Sequence, residues 1–241
     1  MILDAATRPL VIGHRGASAH AGDNTIEALR LAAEHGADGV EVDVRLTSDG
    51  VMILHHEPGI HDFGAFADRE FADVRDFDPS IPTLDEAAAV LGELFIDVEI
   101  KNDPRQPGHD PTHAIASVVA AWIADTGRKD QVLVSSFNDG TIDAVRAADP
   151  GIATGQLLDR FADVPRRLAD ISARGHGWAV VHKSHVRSRG ADLVAAAHQR
   201  DVLVAVWTVD TPRTLKKLAG AGVDAVITND PRRALSVYAE L

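Results

Sequence analysis

The sequence predicts an α/β fold, a TIM-type (β/α)8 barrel in a single domain spanning residues 1–241, with a short insertion after the second strand. Three observations predict it. Short apolar runs alternate with helical patterns along the whole chain, which gives a parallel sheet covered by helices. Eight such pairs fit into 241 residues, close to the roughly 30 residues that a βαβ unit occupies. Eight units close a parallel sheet into a barrel; an open doubly wound sheet is the structural rival. No linker, low-complexity tract or change of composition divides the chain.

Taken in order, the first strand is read at 10–13, where an apolar run stops at Gly13-His14-Arg15-Gly16. A helix over 24–36 follows, with Asp23 or Asn24 as N-cap, Glu27 placed to complete a capping box from Asn24, and Gly36 as the terminating glycine. The second strand covers 39–44 with a continuation at 51–55, and ends at His55-His56. Residues 57–81 match neither period and form the insertion, read as a small lid on the site's rim or as a packed surface loop. Pro82 stops the chain and Thr83 caps a helix over 83–92. Strands at 94–100, 131–136, 152–157, 177–182, 202–207 and 224–228 then alternate with helices at 111–126, 139–148, 163–174, 189–200, 212–221 and 231–239. Asp149-Pro150-Gly151 and Asn229-Asp230-Pro231 supply breakers at a helix end and a helix start.

Composition narrows the function classes. The net charge of −12 argues against nonspecific nucleic-acid binding, so an anionic substrate must be captured by local positive charge. No stretch approaches the roughly 20 apolar residues of a membrane span, so stable membrane insertion is not expected. The N-terminal segment lacks the layout of a secretory signal. With no cysteine, disulfides and thiolate metal sites are excluded, and a cytoplasmic location is expected. Nothing in the pattern sets an oligomeric state.

Strand alternation sorts the candidate residues. In Gly39-Val40-Glu41-Val42-Asp43-Val44, the two carboxylates share one face and the valines the other. Asp97, Glu99 and Lys101 repeat the arrangement on the third strand, a barrel neighbour of the second. Glu41, Asp43 and Glu99 can therefore converge. Clustered carboxylates repel unless a cation joins them, and all-oxygen ligands suit Mg2+ or Ca2+; the alternative is an ion-pair network centred on Lys101 and Arg15. Arg15 offers a planar fork for phosphate oxygens. His14 is a candidate acid or base near neutral pH, or a loop histidine bonded to backbone. Of His55 and His56, alternation lets one face the site, and His56, nearer the rim, is the candidate. Trp207 ends the seventh strand, where an aromatic can wall a pocket or cap the core. Ser135-Ser136-Phe137-Asn138 is a weaker candidate for pocket contacts, and His182, ending a strand, stands out among the remaining histidines.

The blocks HRGAS, DNTIEA, GADGVEVDV, TSDG, HHE, DVEIK, WTVD and GVDAVITNDP, in this order and spacing, resemble the glycerophosphodiester phosphodiesterase family from about residue 11 to residue 233. The resemblance implies a (β/α)8 barrel, a divalent cation and cleavage of a small-molecule glycerophosphodiester into glycerol 3-phosphate and an alcohol. It implies His14 and His56 as the acid/base pair, Arg15 as the phosphate-binding arginine, Lys101 as an active-site lysine that helps neutralise the phosphoryl oxygens, and Glu41, Asp43 and Glu99 as metal ligands. The implied route passes through a cyclic phosphate that water then opens. Two positions depart from the family's pattern: Asp23 stands where Glu is usual, and Glu57 where Asp is usual. Alternatives are lysophospholipase D-like action on lysophospholipids, a non-catalytic phosphoester-binding barrel, and a Schiff-base aldolase using Lys101. A lysine among acids stays protonated and is a poor nucleophile, which counts against the last.

Overall fold

The computed structural model describes residues 8–186 and 190–241. The N-terminal segment read above for a leader, and residue 189 at the start of the expected helix 189–200, lie outside the described residues.

Eight parallel strands close into a barrel: β1 (Leu10–His14), β2 (Gly39–Leu46), β6 (Phe95–Ile100), β7 (Val132–Ser136), β8 (Ala153–Leu158), β9 (Trp178–His182), β10 (Leu203–Trp207) and β11 (Ala225–Thr228). Each pairs with the next, and β1 pairs with both β2 and β11, which closes the ring. The strands read as Val/Ile-rich runs because both of their faces are buried. Outward-facing Val40, Val42, Val44, Ile96, Val98 and Val134 pack beneath the helices. Inward-facing Leu10, Ile12, Phe95, Leu133, Leu157, Val180 and Ile227 fill the lower barrel. Gly39 belongs to that lowest layer, where a Cβ would sit 2.5 Å from the Phe95 carbonyl oxygen.

Helices α1 (Ile26–Glu34), α3 (Leu84–Leu91), α4 (Ala114–Thr126), α5 (Asp139–Ala148), α6 (Val164–Ala173), α7 (Gly190–His198), α8 (Pro212–Ala221) and α9 (Pro231–Tyr238) surround the barrel. Thr83 caps α3 as expected, and Glu86 completes a capping box with it. The first helix differs from expectation. Its cap is Thr25, whose hydroxyl accepts from the Ala28 N–H, because Asn24 is drawn inward to Asp43 and sits at φ 54°.

The expected continuation of the second strand is a separate element. β3 (Met52–Leu54) runs antiparallel to β2, with Val44 opposite Leu54. The turn is closed by Thr47, whose N–H donates to the Val51 carbonyl and whose hydroxyl accepts from the Val51 N–H. Residues 57–81 contain the two-residue strands β4 (Gly59–Ile60) and β5 (Gly64–Ala65) and the helix α2 (Phe71–Phe77). Phe66, Val74 and Ile81 pack there against Ile53 in a small cluster of their own. Among the described residues no helix is long and apolar enough to cross a membrane.

Candidate active site

Going up the barrel, the inward positions change from apolar to charged. Register places His14 beside Glu41, Glu41 beside Asp97, and Asp43 beside Glu99. Glu41, Asp43 and Glu99 are all buried and each offers a carboxylate oxygen within 4.8 Å of the others'. Glu41 and Glu99 line, with His14, Arg15, His56, Lys101, Phe137 and Trp207, a cavity of about 220 Å³ at the C-terminal mouth, where barrel enzymes keep their chemistry.

Charge in this mouth is only partly balanced. Lys101 Nζ lies 2.7 Å from Glu99 and 3.3 Å from Asp43, and Arg15 Nε lies 3.0 Å from Asp43. Burial works to raise Asp43, but Lys101 and Arg15 outweigh it and hold its carboxyl below the usual range. Glu41 lacks such a cation. It accepts the Arg15 backbone N–H at 2.9 Å, and His14 Nε2 is 4.0 Å away. Burial, then the nearby Asp43, Glu99 and Asp97, push Glu41 well above the usual carboxylate range. Among the described residues, buried Glu41 Oε1 has no hydrogen-bond partner, and Asp43 Oδ1 has only the Lys101 ammonium, 3.3 Å away. The ion-pair network that the sequence allowed is thus present, and it leaves Glu41 Oε1 unsatisfied and Asp43 Oδ1 held by one long ion pair. That donor set fits a hard divalent cation.

The two histidines reach the mouth by different routes. His14 ends β1, and its Nδ1 is 2.7 Å from Asn229 Oδ1. Asn229 Nδ2 donates to Asp210, so its Oδ1 is the acceptor and His14 carries its proton on Nδ1. Nε2 is then a bare lone pair. Burial, helped by the Arg15 charge, lowers the pKa of His14, keeping it neutral near pH 7. His56 is delivered by β3, and its Nδ1 donates to Glu57 at 2.7 Å. His55 packs edge-on against Phe66 and stays out of the cavity. Trp207 stands against Phe137 and His182, with its Nε1 bonded to the Val180 carbonyl.

Of the weaker candidates, Ser135 donates to Asp97 at 2.7 Å and Asn138 caps α5. Sequence reading missed three residues. Asn24 holds Asp43 twice, by a side-chain donation of 2.9 Å and by accepting the Asp43 N–H at 3.1 Å. Asn229 and Asp210 fix His14 from strand ends far along the chain. Asn229 was legible only as part of a helix-start breaker.

A sequence model of the Glycerophosphoryl diester phosphodiesterase family matches residues 14–233. The chain is 28% identical over 248 residues to a glycerophosphodiester phosphodiesterase of Caldanaerobacter subterraneus, covering 95% of this chain and 98% of that one. Its barrel is similar to that of a glycerophosphodiester phosphodiesterase from Thermotoga maritima, with a TM-score of 0.79 at 23% identity over 97% of this chain and 100% of the other. It is similar also to a phosphodiesterase of Oleispira antarctica solved in complex with the product sn-glycerol-3-phosphate, with a TM-score of 0.77 at 24% identity, covering 96% of this chain and 97% of the other. A match that begins at His14, the mouth end of β1, and takes in the other seven barrel strands decides the assignment: the chain belongs to the glycerophosphoryl diester phosphodiesterase family of phosphoric diester hydrolases.

Proposed function

We propose that the protein hydrolyses glycerophosphodiesters to glycerol 3-phosphate and an alcohol, using a divalent cation, Mg2+ or Ca2+, held by Glu41, Asp43 and Glu99. The observation that carries the metal reading is the buried Glu41 Oε1, without a hydrogen-bond partner among the described residues, in a set of three carboxylates whose oxygens lie within 4.8 Å of one another. The Caldanaerobacter relative, which bears the name of this activity, supports the substrate class. When bound, the cation would supply positive charge to the phosphoryl oxygens.

Arg15 and Lys101 flank the same cavity and neutralise the remaining phosphoryl charge. His14, neutral and with Nε2 bare, takes the proton from a glycerol hydroxyl as that oxygen attacks phosphorus. His56, held through Nδ1 by Glu57, gives the Nε2 proton to the departing alcohol. The product of this step is a cyclic phosphate. Water opens it with the two imidazoles exchanging roles. Trp207 and Phe137 wall the glycerol side. We read residues 57–81 as a packed wall over the rim, since they carry their own apolar cluster.

A second cavity, of about 210 Å³, meets the first at His56, Glu99, Lys101 and Phe137 and is lined further by Asp103, Arg105, Gln106 and Asp159. It lies on the side where His56 releases the alcohol. Its charged lining favours a small polar alcohol over the acyl chain of a lysophospholipid. The test is release of glycerol 3-phosphate from glycerophosphoethanolamine and from a lysophospholipid, with and without chelator. Chelator-sensitive release from the first substrate, at a rate well above the second, is expected. His14→Ala and His56→Ala should each lower kcat by about 10²-fold or more in a folded protein. Turnover surviving either substitution would remove that histidine from the reaction, and turnover indifferent to chelator would remove the cation.

A further inference from the structure

The inner face of β2 carries one more side chain above the carboxylates. Arg45 lies two residues beyond Asp43 and is 7% exposed. Its guanidinium is spent on oxygen atoms of the loops. Nε donates to the carbonyls of His55 at 3.1 Å and His56 at 3.2 Å. Nη2 donates to the His56 carbonyl at 2.5 Å and to Gln106 Oε1 at 2.9 Å, and Nη1 reaches the Lys101 carbonyl at 3.5 Å. It lines a cavity beside the mouth, with Leu46, Pro58, Phe66 and Asn102, and is not among the residues lining the cavity of His14 and Glu41.

Burying a guanidinium is costly unless its donors are satisfied, and a satisfied one fixes its partners in place. The partners here are informative. They are the backbone units of His56 and Lys101, which come from two separate segments, the return of the β2–β3 hairpin and the end of β6. Apart from Arg45 no bond among those described joins these two backbone units. We propose that Arg45 is a positioning residue that sets the His56 imidazole against the Lys101 ammonium through their carbonyls. It touches neither the substrate nor the reacting atoms. A lysine at this position could not reproduce the hold, because an ammonium is a point donor without the planar fork.

This inference rests on the roles given above to His56 and Lys101, and its test separates the two. Arg45→Ala and Arg45→Lys are compared with the parent protein for kcat, KM, thermal midpoint and the imidazole 15N–1H resonances of the cation-free protein. In Arg45→Ala, kcat should fall about 10²-fold, the effect of a misplacement of the order of 1 Å, with KM changing far less. The His56 resonances should move while those of His14 stay, and added methylguanidinium should restore part of kcat. Arg45→Lys should remain below the parent, and it carries the test if the alanine variant does not fold. A lowered thermal midpoint with kcat intact would reduce Arg45 to a structural pin and overturn the proposal. So would unmoved His56 resonances. Resonances that move with Arg45 in a protein whose His56→Ala variant still turns over would instead sink the catalytic reading and leave the positioning standing.

Discussion

His14 is set up for proton transfer by a residue 215 positions away in sequence. The Asn229 carbonyl oxygen accepts a hydrogen bond from Nδ1–H, and Ser18 and Asp210 hold Asn229 in that orientation. The sequence showed His14 at a strand end, and it showed Asn229 two residues before a proline. It could not show that the two meet, because barrel closure brings β11 next to β1. The two departures from the family's pattern resolve at this scale as well. Asp23 pairs with Arg15 Nη1 at 2.7 Å, and Glu57 still reaches His56. The Asn229 bond favours the charged imidazole, against burial and Arg15, which lower its pKa. Removing that bond in Asn229→Ala should therefore lower the pKa of His14 further. The acid limb of the pH–kcat profile should move to lower pH, while the plateau falls by about 10-fold or more as the ring loses its orientation. An unchanged limb would show that another group than His14 governs it.

At the scale of elements, the strands were readable and the path between them was not. Runs buried on both faces stand out in any sequence, so the eight barrel strands were placed to within a few residues. The return of β3 was hidden because a hairpin and an interrupted strand share one apolar pattern. β2 overshoots the mouth through Leu46, turns, and comes back until the His55 N–H donates to the Asp43 carbonyl. That descent lowers His56 to the level of the carboxylates. The cap of α1 was misassigned for a related reason: Asn24 is a good N-cap by chemistry, and tertiary contact with Asp43 overrides it. Two substitutions separate these duties. Thr25→Ala should cost about 1 kcal/mol of stability, read as a lower urea midpoint at unchanged slope. Asn24→Ala should instead weaken cation binding by about 10-fold or more, the effect expected when a metal ligand loses its supporting hydrogen bond. A cation affinity unaffected by Asn24→Ala would return Asn24 to a purely local role.

Across the whole molecule, an apolar plug fills the lower barrel and acid gathers at the top, in a chain already carrying −12. Alternation gave the composition of the mouth, whereas the register that sets Glu41 beside Asp97 and Asp43 beside Glu99 depends on how the closed sheet is staggered. A cation that binds only the folded barrel should stabilise it by about 2.7 kcal/mol at a hundredfold excess over Kd. Glu41→Gln should remove most of that gain, and an equal gain in the variant would place the ion elsewhere.

Asp97 extends the same accounting to pH. It is 2% exposed, and its one side-chain bond described comes from Ser135. Burial, opposed by that bond and joined by the charges of Glu99 and Asp43, raises its pKa from 3.8 to about 7. Between those two values the unfolded chain gives up this proton and the folded barrel keeps it. Stability falls with rising pH wherever the folded state binds more protons. The contribution of Asp97 is therefore intact below its unfolded value, declines through the interval, and levels off once pH passes about 7. At full extent such a displacement amounts to about 4 kcal/mol. Asn in its place keeps an acceptor for Ser135 and has no proton to lose, while Glu41 and Glu99 remain in both proteins and largely cancel in the comparison. In cation-free protein, the stability of Asp97→Asn relative to the parent should accordingly rise from acid to neutral pH and flatten above it, as followed by urea unfolding across that range. A difference that is flat, or that shrinks toward neutral pH, would mean that Asp97 enters the fold already ionised, with the barrel's upper layer more open to water than its burial indicates.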